Sequence, residues 1–107
     1  TSQSGRDTQT MGYPIRMCEL LDTLTRPYYI ERVALDGPRG VTSAKKAIGK
    51  ALRAQMEGKG YCFVEVLSPC ATYLRMSPLD SLKFVGKNMA EHFPVRVFRE
   101  KGESCHA

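Results

Sequence analysis

No run of about eighteen apolar residues occurs anywhere in the sequence, so nothing in it is long enough to cross a bilayer as a helix. The first ten residues, TSQSGRDTQT, lack the apolar core of a secretory signal. No initiator methionine precedes them, and the chain is expected to begin partway through a gene product. No Cys-x-x-Cys pair is present. The four cysteines, Cys18, Cys62, Cys70 and Cys105, are too far apart to form a local dithiol or a metal knuckle. Without a secretory signal these thiols are expected to stay reduced, in a cytoplasmic compartment. Charge of one sign is also scarce: a net charge of +5 over 107 residues suits solubility better than nucleic-acid binding.

What is present reads as one small α/β unit. Residues 1–12 form a polar loop. Pro14 is placed to open a helix, and Ile15, Cys18, Leu21 and Leu24 recur at helical spacing until Pro27 stops them. YYIERVAL (28–35) is rich in β-branched and aromatic residues and predicts a strand. DGPRG (36–40) predicts a loop, and Thr42 or Ser43 can cap the next helix. Ala44, Ala47, Ile48, Ala51 and Leu52 make the buried stripe of that helix, and Gly58 and Gly60 end it. YCFVEVL (61–67) predicts the second strand. SPLD (77–80) carries a cap serine, a first-turn proline and an acid three residues on, so a helix starts there. Leu79, Leu82, Val85 and Met89 supply its apolar face. Residues 13–93 thus read helix, strand, helix, strand, helix, and 94–107 read as an extended, frayed tail.

The long middle helix permits a crossover between parallel strands, and near-continuous apolar strands imply helices on both sheet faces. Two parallel strands alone leave two open edges. The missing strands are therefore expected from another segment or chain.

One thiol stands apart. Cys70 follows Pro69 where the second strand must end. A free cysteine is more often a buried core residue than a ligand, but the carboxyl end of a parallel strand is where ligand sites form in open α/β sheets.

GRD (5–7), MGYPIRMCELL (11–21), YIERVAL (29–35), KKAIGKAL (45–52), EGKG (57–60), FVEVLSPC (63–70) and SPLDSLKFV (77–85) occur in one order and spacing. As a set they resemble the thiamine-diphosphate-binding β subunit of the 2-oxoacid:ferredoxin oxidoreductases, nearest to the 2-oxoglutarate type. The resemblance implies the C-terminal half of a doubly wound, mostly parallel, three-layer thiamine-diphosphate-binding domain. It implies oxidative decarboxylation of a 2-oxoacid with coenzyme A, giving acyl-CoA and carbon dioxide and reducing ferredoxin. The family's GDG…N motif, which holds the diphosphate and Mg²⁺, does not occur here, and the DGP at 36–38 reads as a turn. The chain is then expected to be inactive alone and to pack against the remainder of the β subunit and the α subunit. By resemblance, Cys70 is a ligand of a 4Fe–4S cluster. Gly5 and Arg6 lie in a loop near cofactor or substrate, where Arg6 would meet a carboxylate or phosphate with its planar fork. Ala71 and Tyr73-Leu74 depart from the proline and Asn-Trp frequent in the family. The alternative from another class is a non-catalytic interaction module that kept half of such a fold.

The remaining polar residues have plainer readings. Glu31 and Glu65 interrupt apolar strands and are expected to pair with Arg32, Arg16 or a partner's lysine rather than to do acid–base chemistry. Lys45, Lys46, Lys50 and Arg53 form a basic stripe with no interleaved aromatic residues, which reads as a solvated helix face. Cys105-His106 offers two ligands where zinc takes four.

Overall fold

A computed structural model of the chain describes residues 9, 10, 12–69 and 77–105. The elements run α1 (Met17–Leu21), β1 (Tyr29–Ala34), α2 (Pro38–Met56), β2 (Cys62–Leu67), α3 (Pro78–Phe84), β3 (Arg96–Glu100) and β4 (Glu103–Ser104). A π-helical stretch (Val85–Met89) and a last turn (Ala90–His92) continue α3.

The strands form one sheet in the order β2-β1-β3-β4. β1 and β2 are parallel and in simple register from Tyr29 opposite Cys62 to Ala34 opposite Leu67. β3 runs antiparallel on the other edge of β1, with a bulge between Ile30 and Glu31, and β4 folds back on β3. The sheet is therefore mixed, not mostly parallel, and two further strands come from within the chain. Residues 96–104 are not a loose tail. Val97 and Phe98 bury apolar surface on opposite faces of the sheet, which holds them in place.

Alternation along β1 sets the two faces. Tyr29 and Val33 pack with Ala44 and Ala47 of α2. Ile30 packs with Cys18 of α1 and with Phe98, and Ala34 with Leu67 and Val85. Helices thus lie on both faces, as the apolar strands predict.

α2 begins earlier than its capping residues suggest. Pro38 takes the first helical position, where its missing N–H costs nothing, so most of DGPRG is helix rather than loop. Gly58, at φ +67°, ends the helix. α1 is much shorter than its periodicity, with only Cys18 buried. Ile15 and Leu24 have no surface to cover, and a helix this short persists only where packing holds it. α3 starts as read, with Ser77 Oγ accepting from the Asp80 amide at 3.2 Å. Val85 is buried and Leu79 is exposed.

Candidate functional site

The carboxyl ends of β1 and β2 lie side by side. The ladder continues one step past the strands, with the Leu35 amide donating to the Leu67 carbonyl at 2.8 Å. From β1 the chain turns through Asp36 and Gly37 into α2. The first turn of α2 sits hard against the strand end: a Cβ on Gly40 would lie 2.0 Å from the Ala34 carbonyl oxygen and 2.5 Å from Asp36 Oδ1. Only glycine allows that approach. On the far side the π-helical stretch closes in, and a Cβ on Gly86 would stand 3.1 Å from Asp36 Cβ. From β2 the chain leaves through Ser68 and a half-buried Pro69. A shallow hollow of about 360 Å³ follows the first turns of α2, lined by Pro38, Arg39, Thr42 and Ser43.

Cys70, Gly5 and Arg6 lie outside the described residues. What is placed is the approach to Cys70: Pro69 at the end of β2, one residue before it, beside the turn into α2. Among the described residues no group of three His, Cys, Asp or Glu side chains could hold a metal ion.

Behind this end of the sheet, on the face away from α2, sits a charged network. Arg32 is fully buried. Its Nη2 donates to Glu19 Oε1 at 2.6 Å, and its Nε to Glu65 Oε2 at 2.5 Å. Its Nη1 donates to Glu19 Oε2 at 3.2 Å and to the Pro94 carbonyl at 3.3 Å. The guanidinium carbon lies 5.3 Å and 5.1 Å from the ring centres of Phe93 and Phe98, within cation–π range. One side chain therefore ties α1, β2, β3 and the end of the last helix to the central strand. The Cys18 thiol donates to Glu65 Oε2 at 3.4 Å.

Burial alone would lower the Arg32 pKa, but its bonds to Glu19 and Glu65 outweigh that and raise it. Burial also acts to raise the Glu19 pKa, yet Arg32 pulls it below the ordinary value. Burial, then the negative charge of Glu65, pushes the Cys18 thiol up to about 12, so it is a protonated thiol at neutral pH. A buried guanidinium with matched carboxylates and a protonated thiol is a structural clamp; it offers neither a nucleophile nor a free base.

A second clamp lies at the other end of β3. Arg99 Nε donates to Asp22 Oδ1 at 3.0 Å, and its Nη2 to the Asp22 carbonyl at 2.8 Å. Ser104 Oγ donates to Asp22 Oδ2 at 2.6 Å.

Glu65 pairs with Arg32, as the sequence suggests. Glu31 instead accepts from the Tyr29 hydroxyl, on the opposite face. The aromatic cage and the clamp at Arg99 are not legible from the sequence. Arg99 lies in β3 and its partner Asp22 directly after α1, 77 residues apart in sequence, so no local spacing links them. Lys45, Lys46, Lys50 and Arg53 are exposed, and Lys50 is engaged with Glu100 at 2.5 Å.

Comparison with known proteins gives a consistent direction. The chain is 48% identical over 101 residues to the ketoisovalerate oxidoreductase subunit VorA of Methanothermobacter marburgensis. It is equally similar to the subunit of the same name from Methanothermobacter thermautotrophicus. The match takes in 94% of this chain but 21% of those subunits, so the chain spans about a fifth of the length of the curated relatives it matches. No protein-family model and no solved structure matches it. Both relatives are named for ketoisovalerate rather than 2-oxoglutarate, and neither name assigns a β subunit. The chain is therefore kin to one section of an oxidoreductase subunit, joined to it by close sequence identity along nearly its whole length.

Proposed function

We propose that the chain is a segment of a 2-oxoacid:ferredoxin oxidoreductase and supplies Cys70 to a 4Fe–4S cluster. The observation that carries the reading is the 48% identity to ketoisovalerate oxidoreductase subunits along 94% of the chain. On the same ground, a branched 2-oxoacid of the ketoisovalerate kind is the better substrate than 2-oxoglutarate. The reading keeps coenzyme A and ferredoxin as the other reactants. It also keeps the rest of the thiamine-diphosphate-binding subunit and a second subunit as the partners.

Thiamine diphosphate, where bound in the complete enzyme, would supply the electron-sink chemistry that decarboxylation of a 2-oxoacid needs. None of the described residues is assigned to hold it, since the sequence carries no GDG…N motif. This chain's contribution is positional. β2 delivers Pro69 to the carboxyl end of the sheet, and a proline there both ends the ladder and stiffens the backbone leading to the next thiol. Gly40 and Gly86 let α2 and the π-helical stretch close around Asp36 at the same end. The Arg32 clamp fixes β1 and β2 to their helices from behind, so the strand end is rigid.

The test is made in the complete enzyme, purified without oxygen. Cys70→Ser is expected to lose iron, the broad iron–sulfur absorbance and ferredoxin reduction with ketoisovalerate. Unchanged iron content in that variant overturns the assignment of Cys70. Faster turnover with 2-oxoglutarate than with ketoisovalerate overturns the substrate.

A further inference from the structure

Three aspartates lie among the described residues, and the main-chain nitrogen that follows each is placed differently. The Asp22 carboxylate accepts from Arg99 and Ser104, and the Thr23 amide donates to the Leu20 carbonyl at 3.2 Å. Asp80 lies in the first turn of α3, and the Ser81 amide donates to the Ser77 carbonyl at 2.9 Å. Asp36 differs on both counts. It is exposed, and among the described residues nothing donates to its carboxylate. Gly37 caps α2, a position whose N–H has no partner within the helix, and it finds none elsewhere among the described residues.

The turn also keeps the two groups close and open. Pro38 holds Gly37 out of the helical region, in an extended form at φ 158° and ψ −171°. No side chain shields the Gly37 nitrogen, and a Cβ built on Gly37 would meet no atom within 4 Å. The Asp36 carboxyl leans forward along the chain. Its Oδ1 stands 2.5 Å from the place of a Cβ on Gly40, and its Oδ2 3.2 Å from one on Gly86. It is folded over the turn that contains the Gly37 nitrogen rather than directed away from it.

We propose that Asp36–Gly37 is a site of spontaneous isoaspartate formation in the folded protein. The Gly37 nitrogen adds to Asp36 Cγ. The nitrogen gives up its proton, Cγ gives up its hydroxyl, and a water leaves as a succinimide ring closes. Water then reopens the ring. Attack at Cγ restores aspartate. Attack at the original main-chain carbonyl carbon leaves isoaspartate, in which the chain runs through Cβ and Cγ and the former main-chain carbon is the free carboxylate. The water lost is the water regained, so no other reactant is needed. The product fits the turn poorly, because it lengthens the main chain by one carbon where there is no slack. A Cβ on Gly40 would already lie 2.0 Å from the Ala34 carbonyl oxygen, and Asp36 Cβ, now part of the main chain, stands 3.1 Å from the place of one on Gly86. The start of α2 must then move off the strand end, beside the residue that leads to Cys70. The inference stands on the geometry of this turn and holds whether or not Cys70 binds iron.

The test uses the complete enzyme, aged at neutral pH and then cut briefly with trypsin, which releases residues 33–39 as one fragment. Isoaspartate in that fragment is counted with an isoaspartyl carboxyl methyltransferase and labelled S-adenosylmethionine, against an enzyme sample that was not aged. The free peptide VALDGPR, aged alongside, is the unstructured reference. The folded site is expected to convert within about tenfold of the peptide, while Asp22 and Asp80 stay as aspartate. Asp36→Glu keeps the carboxyl but cannot close the same ring, and it is expected to abolish the label in this fragment. A folded site that converts more than about tenfold slower than the peptide overturns the proposal. So does label at Asp22 or Asp80 equal to that at Asp36, which assigns the conversion to unfolded chain, and so does label that survives in Asp36→Glu.

Discussion

Replacing Arg32 with methionine is the sharpest test of how this small sheet is held together. The substitution removes four hydrogen bonds and both ring contacts and leaves the carboxylates of Glu19 and Glu65 without their cation. Stripping one partner from a fully buried pair costs about 3–5 kcal/mol. Here the acids are not sealed in: the Glu19 and Glu65 side chains are 34% and 22% exposed, so water can partly replace the guanidinium. The expected loss is therefore at the lower end, about 3 kcal/mol. That is a large part of the roughly 5–15 kcal/mol typical of such a domain. In a chain of about a hundred residues it lowers Tm by roughly 15 °C. Urea unfolding followed by circular dichroism reads it as a fall in midpoint with an unchanged slope. The double variant Arg32→Met with Glu65→Leu should regain part of the loss, since an apolar replacement of a buried pair is often near neutral. A single-variant loss below about 1 kcal/mol, or strictly additive effects in the double variant, refutes the clamp.

Two further expectations follow from the geometry. Cys18 has a folded-state pKa near 12 against an ordinary 9.0, so the unfolded chain releases this proton first as pH rises. Its contribution is intact below pH 9 and falls by up to about 1.4 kcal/mol per pH unit between pH 9 and 12. Cys18→Ala should flatten that fall in a pH series of urea midpoints; equal slopes in both proteins would show that the thiol ionises freely. Gly40→Ala places a methyl 2.0 Å from the Ala34 carbonyl oxygen. It should cost at least the upper end of the about 1–3 kcal/mol seen for overpacking, because the obstacle is backbone and cannot rotate away. Wild-type stability in a thermal melt of that variant counts against the close approach of α2.

Local chemistry explains most of what could be read from the sequence. The strands at 29–34 and 62–67 are marked by β-branched and aromatic runs, and the start of α3 by Ser77, Pro78 and Asp80, all short-range signals. What could not be read depends on distant partners. Residues 96–104 look like a tail because their strand character is completed by β1, far away in sequence. Ile48 and Leu52 look like core because periodicity counts apolar residues but does not say which flank the sheet occupies. Arg32 is legible as a possible partner of Glu65, but not as a buried residue, since its burial is possible only once α1, β2 and two phenylalanines surround it. The approach to Cys70 was legible as a strand end followed by proline, and no spacing in the sequence sets a second cysteine beside it.

The antiparallel docking of β3 on β1 has a consequence for biosynthesis. β1 is made early, but one of its sides stays naked until residues 96–100 have left the ribosome. At roughly 5–20 residues per second, the intervening stretch of about sixty residues takes on the order of 3–12 s to translate. For that time the nascent chain displays an apolar strand with a vacant flank, and slowing translation within this stretch should increase its capture by chaperones or its loss to aggregates.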